Sequence, residues 1–236
     1  VVLEERRSDI AEVSFNSTLN IDLSDRSKLT AGIGVRGSRS MQFKTIDDML
    51  GAAYLEDKDK YAERDLGLNV ESVWNDLNKP GRRVYEGDRF GYDFDINIWS
   101  ANLWVQNQYS TRLVDINYGT KLSYTTFQRD GNMRNGRFPD SSYGKGERHN
   151  FYDYGFKVGA LVKLSGRHLL QLNANYETKA PQPYNAYTSV RITDNTVDLQ
   201  SEKILSADLS YIFSLPSFTG RVSYFETHFW DQMERQ

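Results

Sequence analysis

The stretch Phe151–Leu164 reads FYDYGFKVGALVKL and decides the fold. Every second residue from Tyr152 to Leu164 is apolar or aromatic, whereas the positions between them include Asp153, Lys157 and Lys163. A period of two residues indicates a β-strand, because successive side chains of a strand point to opposite faces. The stretch therefore predicts a long strand with one apolar face and one polar face.

The same alternation resumes after a tight polar turn at Ser165–His168. From Leu170 to Glu177, apolar residues alternate with glutamine, asparagine and glutamate. Each periodic segment has about 10–14 residues, which exceeds the usual strand of about 5–6 and is enough to cross a bilayer at a tilt. The hairpin Phe151–Thr178 is therefore predicted to span a membrane, with its apolar face toward lipid.

The composition excludes several classes of protein. The 236 residues include 29 Lys and Arg against 32 Asp and Glu, so the chain lacks the basic bias of a nucleic-acid-binding protein. Because the chain has no cysteine, it forms no disulfide and no thiolate metal site. No stretch of about 18 apolar residues occurs, which excludes a spanning helix but not a spanning barrel, whose strands alternate.

Three further pairs of alternating segments predict hairpins like the first. They are Val13–Leu23 with Leu29–Ser38, Tyr92–Val105 with Val114–Thr125, and Leu205–Phe213 with Phe218–Tyr224. Within the second pair, the apolar residues change phase between Trp99 and Leu103, which predicts a β-bulge at that point.

Three long polar stretches separate the hairpins, at Ser40–Phe90, Gln128–Asn150 and Lys179–Gln200. In the first of them, a weak capping box predicts a short helix over Thr45–Leu50. The charged run Leu55–Gly67 is predicted to be solvated, although its spaced aspartates distantly resemble a calcium loop.

All short turns thus lie at one end of the predicted strands and all long connections at the other. This asymmetry is typical of outer-membrane barrels, whose short turns face the periplasm and whose long loops face outside. The expected fold class is all-β, an antiparallel transmembrane β-barrel segment of about eight long strands in four hairpins. The expected location is the bacterial outer membrane.

Four runs of the sequence resemble the barrel region of TonB-dependent receptors, especially the large receptors of Bacteroidota. They are YGFKVGALVKLSGRHLLQLNANYETKAP (154–181), SEKILSADLSYIF (201–213), NDLNKPGRRVYEGDRFGYDFDINIWSANLWVQNQ (75–108) and FQRDGNMRNGRFPDSSYGKG (127–146). The resemblance implies an outer-membrane barrel of about 22 strands that is plugged by an N-terminal domain. Such a receptor imports a scarce extracellular substrate with energy that TonB delivers through the plug.

The resemblance also implies the partners and the extent of the domain. The expected partners are outer-membrane lipid, TonB through the plug domain, the imported substrate and a surface lipoprotein. Residues 1–236 are expected to form part of one barrel domain, without the plug domain and without a TonB box. The chain has no recognisable signal peptide and ends in FETHFWDQMERQ, whereas such barrels end in an aromatic residue, so we expect a barrel-region fragment.

The sequence does not support catalysis. No nucleophile, phosphate-binding or dinucleotide-binding motif occurs, so we predict no enzymatic activity and no cofactor. His149, His168 and His228 are far apart in the sequence, and no metal site is predicted because metal ligands must converge.

The polar face of the predicted strands is expected to line a wet lumen or to contact a plug. A lysine or aspartate that faced hydrocarbon would cost up to about 2–4 kcal/mol at mid-depth, so charged residues are assigned to the lumen. The residues predicted to face the lumen are Asp93, Asp95, Lys121, Lys157, Lys163, Asn173, Asn175, Glu177 and Asp208.

Aromatic residues in the long connections are candidates for ligand binding. They have no membrane interface to occupy, and they could stack on a sugar or peptide ligand or pack the loops together. The candidates are Trp74, Tyr85, Phe138, Tyr143, Tyr184 and Tyr187.

Two alternatives remain open at the level of sequence. The first is a small outer-membrane barrel of about eight strands that closes on itself and has a structural or adhesive role; it predicts pairing between the strands that contain Val13 and Val222. The second is a soluble β-rich domain that binds glycans through loop aromatics. For a receptor, the substrate also stays open among siderophores, cobalamin, oligosaccharides and peptides.

Overall fold

A computed structural model describes residues 1–66, 71–187, 189, 191–194 and 199–233 of the chain. Within these residues the strands are β1 Leu3–Ser24, β2 Ser27–Asp48, β3 Leu55–Glu56, β4 Arg83–Val84, β5 Arg89–Ser110, β6 Val114–Gly131, β7 Gly144–Ser165, β8 His168–Lys179, β9 Glu202–Leu215 and β10 Phe218–Trp230. An α-helix, α1, spans Lys60–Leu66, and a 3-10 helix spans Pro183–Ala186.

Eight long strands form one antiparallel sheet in the order of the chain, while β3 and β4 pair separately. Connections of two or three residues join β1 to β2, β5 to β6, β7 to β8 and β9 to β10. The three long connections, residues 49–88, 132–143 and 180–201, all lie at the opposite end of the sheet. The prediction of an all-β antiparallel sheet, with short connections at one end and long connections at the other, is therefore confirmed.

The sheet is open. Its outer strands are β1 and β10, and in the described part of the chain no pairing joins these two strands. The alternative of a barrel that closes on itself required the strands of Val13 and Val222 to pair. That alternative is wrong for the described residues.

One face of the sheet, here called the apolar face, collects the apolar residues of the long strands. The register aligns Phe15 with Val35, Val35 with Ala101, Ala101 with Tyr124, and Tyr124 with Tyr152. Phe15 and Val35 are exposed, Ala101 and Tyr124 are half-buried, and Tyr152 is 79% exposed. A contiguous exposed apolar surface of this kind marks a contact with lipid or protein.

The opposite face, here called the polar face, carries small and hydrophilic residues in the same rows. Gly34 aligns with Asn102, Asn102 with Ser123, and Ser123 with Asp153. Because neighbouring strands present matched faces, an error of one residue in the register would exchange the two faces. The alternation in the sequence therefore determines the register.

The strands are longer than predicted at the end where the long connections lie. Residues Ser40–Asp48 continue β2, so the predicted loop and the helix over Thr45–Leu50 are wrong. This segment mixes polar residues with the buried apolar residues Phe43 and Ile46, which are three positions apart and therefore lie on opposite sides of the strand. The alternation of apolar residues thus disappears while the ladder continues. Cross-strand ion pairs, such as Lys44 Nζ to Glu4 Oε2 at 2.8 Å, accompany the apolar contacts there. Similarly, β7 begins at Gly144 and not after Asn150.

The predicted bulge at Trp99–Leu103 is also wrong, because this segment pairs regularly with both neighbouring strands. The irregularity lies at Gly91. Phe43 of β2 pairs with Asp93, but the next residue, Lys44, pairs with Phe90, and Gly91 between them takes a φ of 75°. Glycine suits this position because a positive φ is costly for other residues.

Asp93 and Asp95 lie on the apolar-face side of β5, in the same file as Trp99, and not on the polar face as predicted. Phe94 and Ile96 take the polar-face side instead, where they join a buried core. The side that carries apolar residues changes along β5. Near the long connections, residues 180–187 cover β5 on its polar-face side, and Phe94 and Ile96 are buried under them. The apolar-face side there holds ion pairs, such as that between the exposed Arg39 and the buried Asp95 at 2.6 Å.

We predict that Gly32→Ala destabilises the sheet by about 1–3 kcal/mol through overpacking. A Cβ at Gly32 would lie 2.6 Å from the ring of Trp104, which packs directly on this glycine. Gly166→Ala is the matched control, because a Cβ there would meet nothing within 4 Å. Denaturant unfolding of both variants in detergent measures the difference, and equal stability of the two variants would contradict the prediction.

Candidate functional site

The long connections fold together into one assembly, here called the loop cap, made of the described residues of 49–88, 132–143 and 180–201. The Leu77 N–H donates to the Arg134 carbonyl at 2.7 Å, and the Gly136 N–H donates to the Trp74 carbonyl at 2.8 Å. The Thr193 N–H donates to the Ser141 carbonyl. Main-chain hydrogen bonds therefore join the first connection to the second and the second to the third.

Two aspartates are buried at the centre of the loop cap, where the sequence predicted a solvated charged segment. Asp57 and Asp59 are each 2% exposed. Asp57 Oδ1 accepts hydrogen bonds from the Asn75 side chain at 2.8 Å and from the Gly91 N–H at 3.0 Å. Asp59 Oδ2 lies 2.8 Å from Arg191 Nε. These carboxylates tie the loop cap to the start of β5 and to the third connection.

The third connection begins with a segment, Ala180–Tyr187, that folds over the polar face and is here called the strap. At its start, the Ala180 N–H donates to Asp153 Oδ2 at 3.1 Å. At its end, the Tyr187 hydroxyl oxygen accepts the Arg129 N–H at 3.0 Å. Between these anchors Ala186 is fully buried against the core that includes Phe94, Ile96, Phe127 and Phe151. The strap is therefore fixed to the wall at both ends.

Tyr187 is 4% exposed, and burial raises the pKa of its hydroxyl to about 12. The hydroxyl is therefore neutral at physiological pH and serves as a hydrogen-bond acceptor for the wall. Next to it, the buried Arg129 guanidinium lies 4.3 Å from the centre of the Phe94 ring and donates to the Ser142 carbonyl at 3.4 Å. Arg129 thus links β6 to the strap and to the second connection.

Beneath the strap lies a cavity of about 410 Å³, here called the strap cavity. Its wall comes from β2, β5, β6, β7 and the end of β8, and residues 180–183 of the strap border it on the other side. The polar side chains in the wall include Arg36, Ser38, Ser100, Asn102, Lys121, Ser123, Thr125 and Asp153. The cavity therefore combines hydroxyl, amide and charged groups at the boundary between the sheet and the loop cap.

Seven of the nine residues predicted to face a lumen lie on the polar face: Lys121, Lys157, Lys163, Asn173, Asn175, Glu177 and Asp208. Several of them are bound to neighbours. Lys157 Nζ donates to Gln106 at 2.8 Å, Lys163 Nζ lies 2.6 Å from Asp115, and Asn173 donates to Asp208 at 3.0 Å. Of the seven, Lys121 lines the strap cavity. That the polar face borders a lumen stays a prediction.

The six candidate aromatic residues fall into different environments. Tyr85, Tyr143 and Tyr184 are exposed. Trp74 and Phe138 are half-buried and lie under the cationic groups of Lys58 and Arg137. Tyr187 is buried in the wall and is therefore not available to stack on a ligand. The ring contacts of the described residues do not join any two of the six, so they do not form one aromatic platform.

The sequence did not reveal the strap or the anchoring roles of Asp153 and Tyr187, although it named Tyr187 as a candidate for ligand binding. Asp153 was visible as a polar residue in the deciding hairpin, but its bond to Ala180 joins residues 27 positions apart. Within the described residues, no three His, Asp or Glu side chains are placed to hold a metal ion. No helix in the described ranges is long and apolar enough to cross a membrane.

Comparisons with known proteins support the fold. The chain matches no protein-family model and no curated protein. Among solved structures it is similar to the crystal structure of the ferric citrate transporter FecA in the unliganded form, with a TM-score of 0.58 and 10% sequence identity. The match covers 96% of this chain and 28% of the FecA chain. The sheet of eight long strands therefore has the fold of part of that transporter.

We predict that Tyr187→Phe loosens the strap, because it leaves the buried Arg129 N–H without its acceptor. Loss of the partner of a buried donor costs about 1–3 kcal/mol. Tyr143→Phe is the control, because this tyrosine is 57% exposed. Hydrogen exchange of the strap measured by mass spectrometry should speed up in the first variant alone; similar exchange in both variants would show that the bond does not hold the strap.

A second prediction concerns the pH dependence of the loop cap. Burial raises the pKa of Asp57 above its usual 3.8, against the opposing effect of the hydrogen bonds from Gly91 and Asn75. The resulting stabilisation is full below the unfolded pKa and is lost as the pH rises through the higher folded pKa. Asp57→Asn keeps an acceptor for Asn75 and Gly91 but removes this titration.

The measurement is hydrogen exchange of the loop cap, corrected for intrinsic exchange, between about pH 3.5 and pH 7. As the pH rises across this range, the protection of the loop-cap amides from exchange should fall in the unmodified protein relative to Asp57→Asn. A difference between the two proteins that does not change with pH would contradict the prediction.

Proposed function

We propose that this chain is the barrel portion of a TonB-dependent outer-membrane receptor that imports a scarce extracellular substrate. One observation carries the proposal: consecutive long antiparallel strands expose an apolar face along their length, while all long connections gather at one end. The fold shared with part of a transporter agrees with it. The proposed location is the bacterial outer membrane, with the apolar face against lipid.

The open edges of the sheet support a larger barrel. In a bilayer, unpaired main-chain groups cost several kcal/mol each, and spanning sheets therefore close into barrels. We infer that β1 and β10 pair with further strands of the same barrel, of which residues 1–236 form one part. The polar face would then enclose a plug domain, through which TonB acts. A surface lipoprotein on the loop cap is a further proposed partner.

The apolar face argues against a soluble glycan-binding domain. Large apolar side chains such as Phe15, Leu103 and Phe156 are exposed on edge and central strands alike. A soluble domain buries such a face against a second layer of structure, and in the described residues no element covers it. A soluble form would therefore expose a surface that aggregates in water.

We predict that Phe156→Arg lowers the stability of the membrane-inserted barrel by about 2–4 kcal/mol, because it places a charge toward hydrocarbon. Asn173→Arg is the control, because residue 173 lies on the polar face beside Asp208, which can pair with the new cation. Both variants are made in the complete protein and unfolded with denaturant in lipid vesicles. Equal losses in the two variants would overturn the assignment of the faces.

The receptor role is tested on the same complete protein. It should fractionate with outer membranes, remain monodisperse only with detergent or lipid, and bind the periplasmic domain of TonB. Recovery as a monodisperse soluble protein, or the lack of TonB binding by a correctly inserted barrel, would contradict the proposed function.

A further inference from the structure

We propose that the strap cavity binds an anionic group of the substrate, a carboxylate or a phosphate, with Lys121 as its main contact. The inference rests on the proposed receptor function and adds the chemical class of the ligand. The cavity of about 410 Å³ is within the usual size of small-molecule sites, which is about 300–1,000 Å³. It lies at the boundary between the sheet and the strap.

Lys121 differs from the other cations of the region in its charge balance. Arg36 pairs with Glu12, and Lys179 lies 3.7 Å from Glu202. Among the described residues Lys121 makes no ion pair and no hydrogen bond, although it is exposed to the cavity. A cation that faces a cavity without a carboxylate partner attracts an anion.

The direct neighbours of Lys121 in the sheet supply no partner for its charge. Across the ladder Lys121 pairs with Gly155 in β7, which has no side chain, and with Trp104 in β5. The Trp104 indole N–H is a donor only, so neither neighbour offers a side-chain acceptor to the Lys121 ammonium group.

Asp153 is the carboxylate among the described residues that line the cavity, and it is already hydrogen-bonded to the strap. Its Oδ2 accepts the Ala180 N–H of the strap, and its Oδ1 is shielded from solvent without a hydrogen-bond partner among the described residues. In the sheet Asp153 pairs with Ser123 and Lys121 with Gly155, and among the described residues no ion pair joins the two side chains. The negative charge thus holds the strap in place and leaves the charge of Lys121 available to a ligand.

Hydroxyl groups complete the proposed site. In the described part of the chain, Ser38, Ser100, Ser123 and Thr125 make no side-chain hydrogen bond, and all four border the cavity. An anionic oxygen accepts several hydrogen bonds at once, and bonds to charged groups are shorter and stronger than neutral ones. The lysine supplies the charge, and the hydroxyls supply further donors around it.

The test uses the complete receptor in detergent at low ionic strength, with succinate and inorganic phosphate as anionic probes and sucrose as a neutral probe. Titration calorimetry should show binding of at least one anionic probe, and its affinity should fall about tenfold or more in Lys121→Gln, the loss expected for a hydrogen bond to a charged group. Lys121→Arg keeps the charge and should retain binding.

Lys145→Gln is the matched control, because Lys145 is an exposed strand lysine that does not line the strap cavity. Binding of succinate alone identifies a carboxylate site, and binding of phosphate alone identifies a phosphate site. The proposal is overturned if neither anion binds, if Lys121→Gln and Lys145→Gln weaken binding equally, or if sucrose binds and the anions do not.

Failure of this proposal can be told apart from failure of the receptor function. Each variant is first checked for insertion into outer membranes and for TonB binding. An inserted receptor that binds TonB but neither anion refutes the anionic site alone. A chain that does not insert into membranes refutes both proposals.

Discussion

The continuous main-chain ladder of eight strands is the interaction on which the rest of the structure depends. It joins strands in chain order over lengths of up to 22 residues and sends alternate side chains to opposite faces. Because one of these faces is apolar and uncovered, a shift of one residue would place polar groups where apolar ones now lie. The positions of the turns and the composition of the polar face both depend on this register of the hydrogen bonds between strands.

Near the loop cap, the strap covers the polar-face side of the sheet, and apolar residues therefore occur on that side. Phe94 and Ile96 of β5 are buried on the polar-face side, because the strap and the neighbouring strands pack on them. Asp95 points the other way and pairs with Arg39. Within β5 the apolar residues thus lie on the polar-face side at Phe94 and Ile96 and on the apolar face at Leu103 and Val105.

The strap gives the site its shape through two polar anchors of different kinds. Asp153 holds its start through a charged hydrogen bond, and Tyr187 holds its end through a buried neutral one. Both anchors connect residues that are far apart in the sequence, and both use atoms whose burial makes a missing partner costly. The cavity beneath the strap exists because these anchors keep the chain against the wall without filling it.

The sequence by itself determined the strands, their pairing in hairpins and the division into two faces, because alternation with period two is a local property that each segment carries alone. In Ser40–Asp48 the buried Phe43 and Ile46 lie on opposite sides of the strand among polar residues, so the segment shows no period of two and its sequence predicts a loop. Only the tertiary structure decided the sides of Asp93 and Asp95, the burial of Asp57 and Tyr187, and the position of Lys121 at a cavity. These features depend on which distant connection covers a residue, and no local period records that.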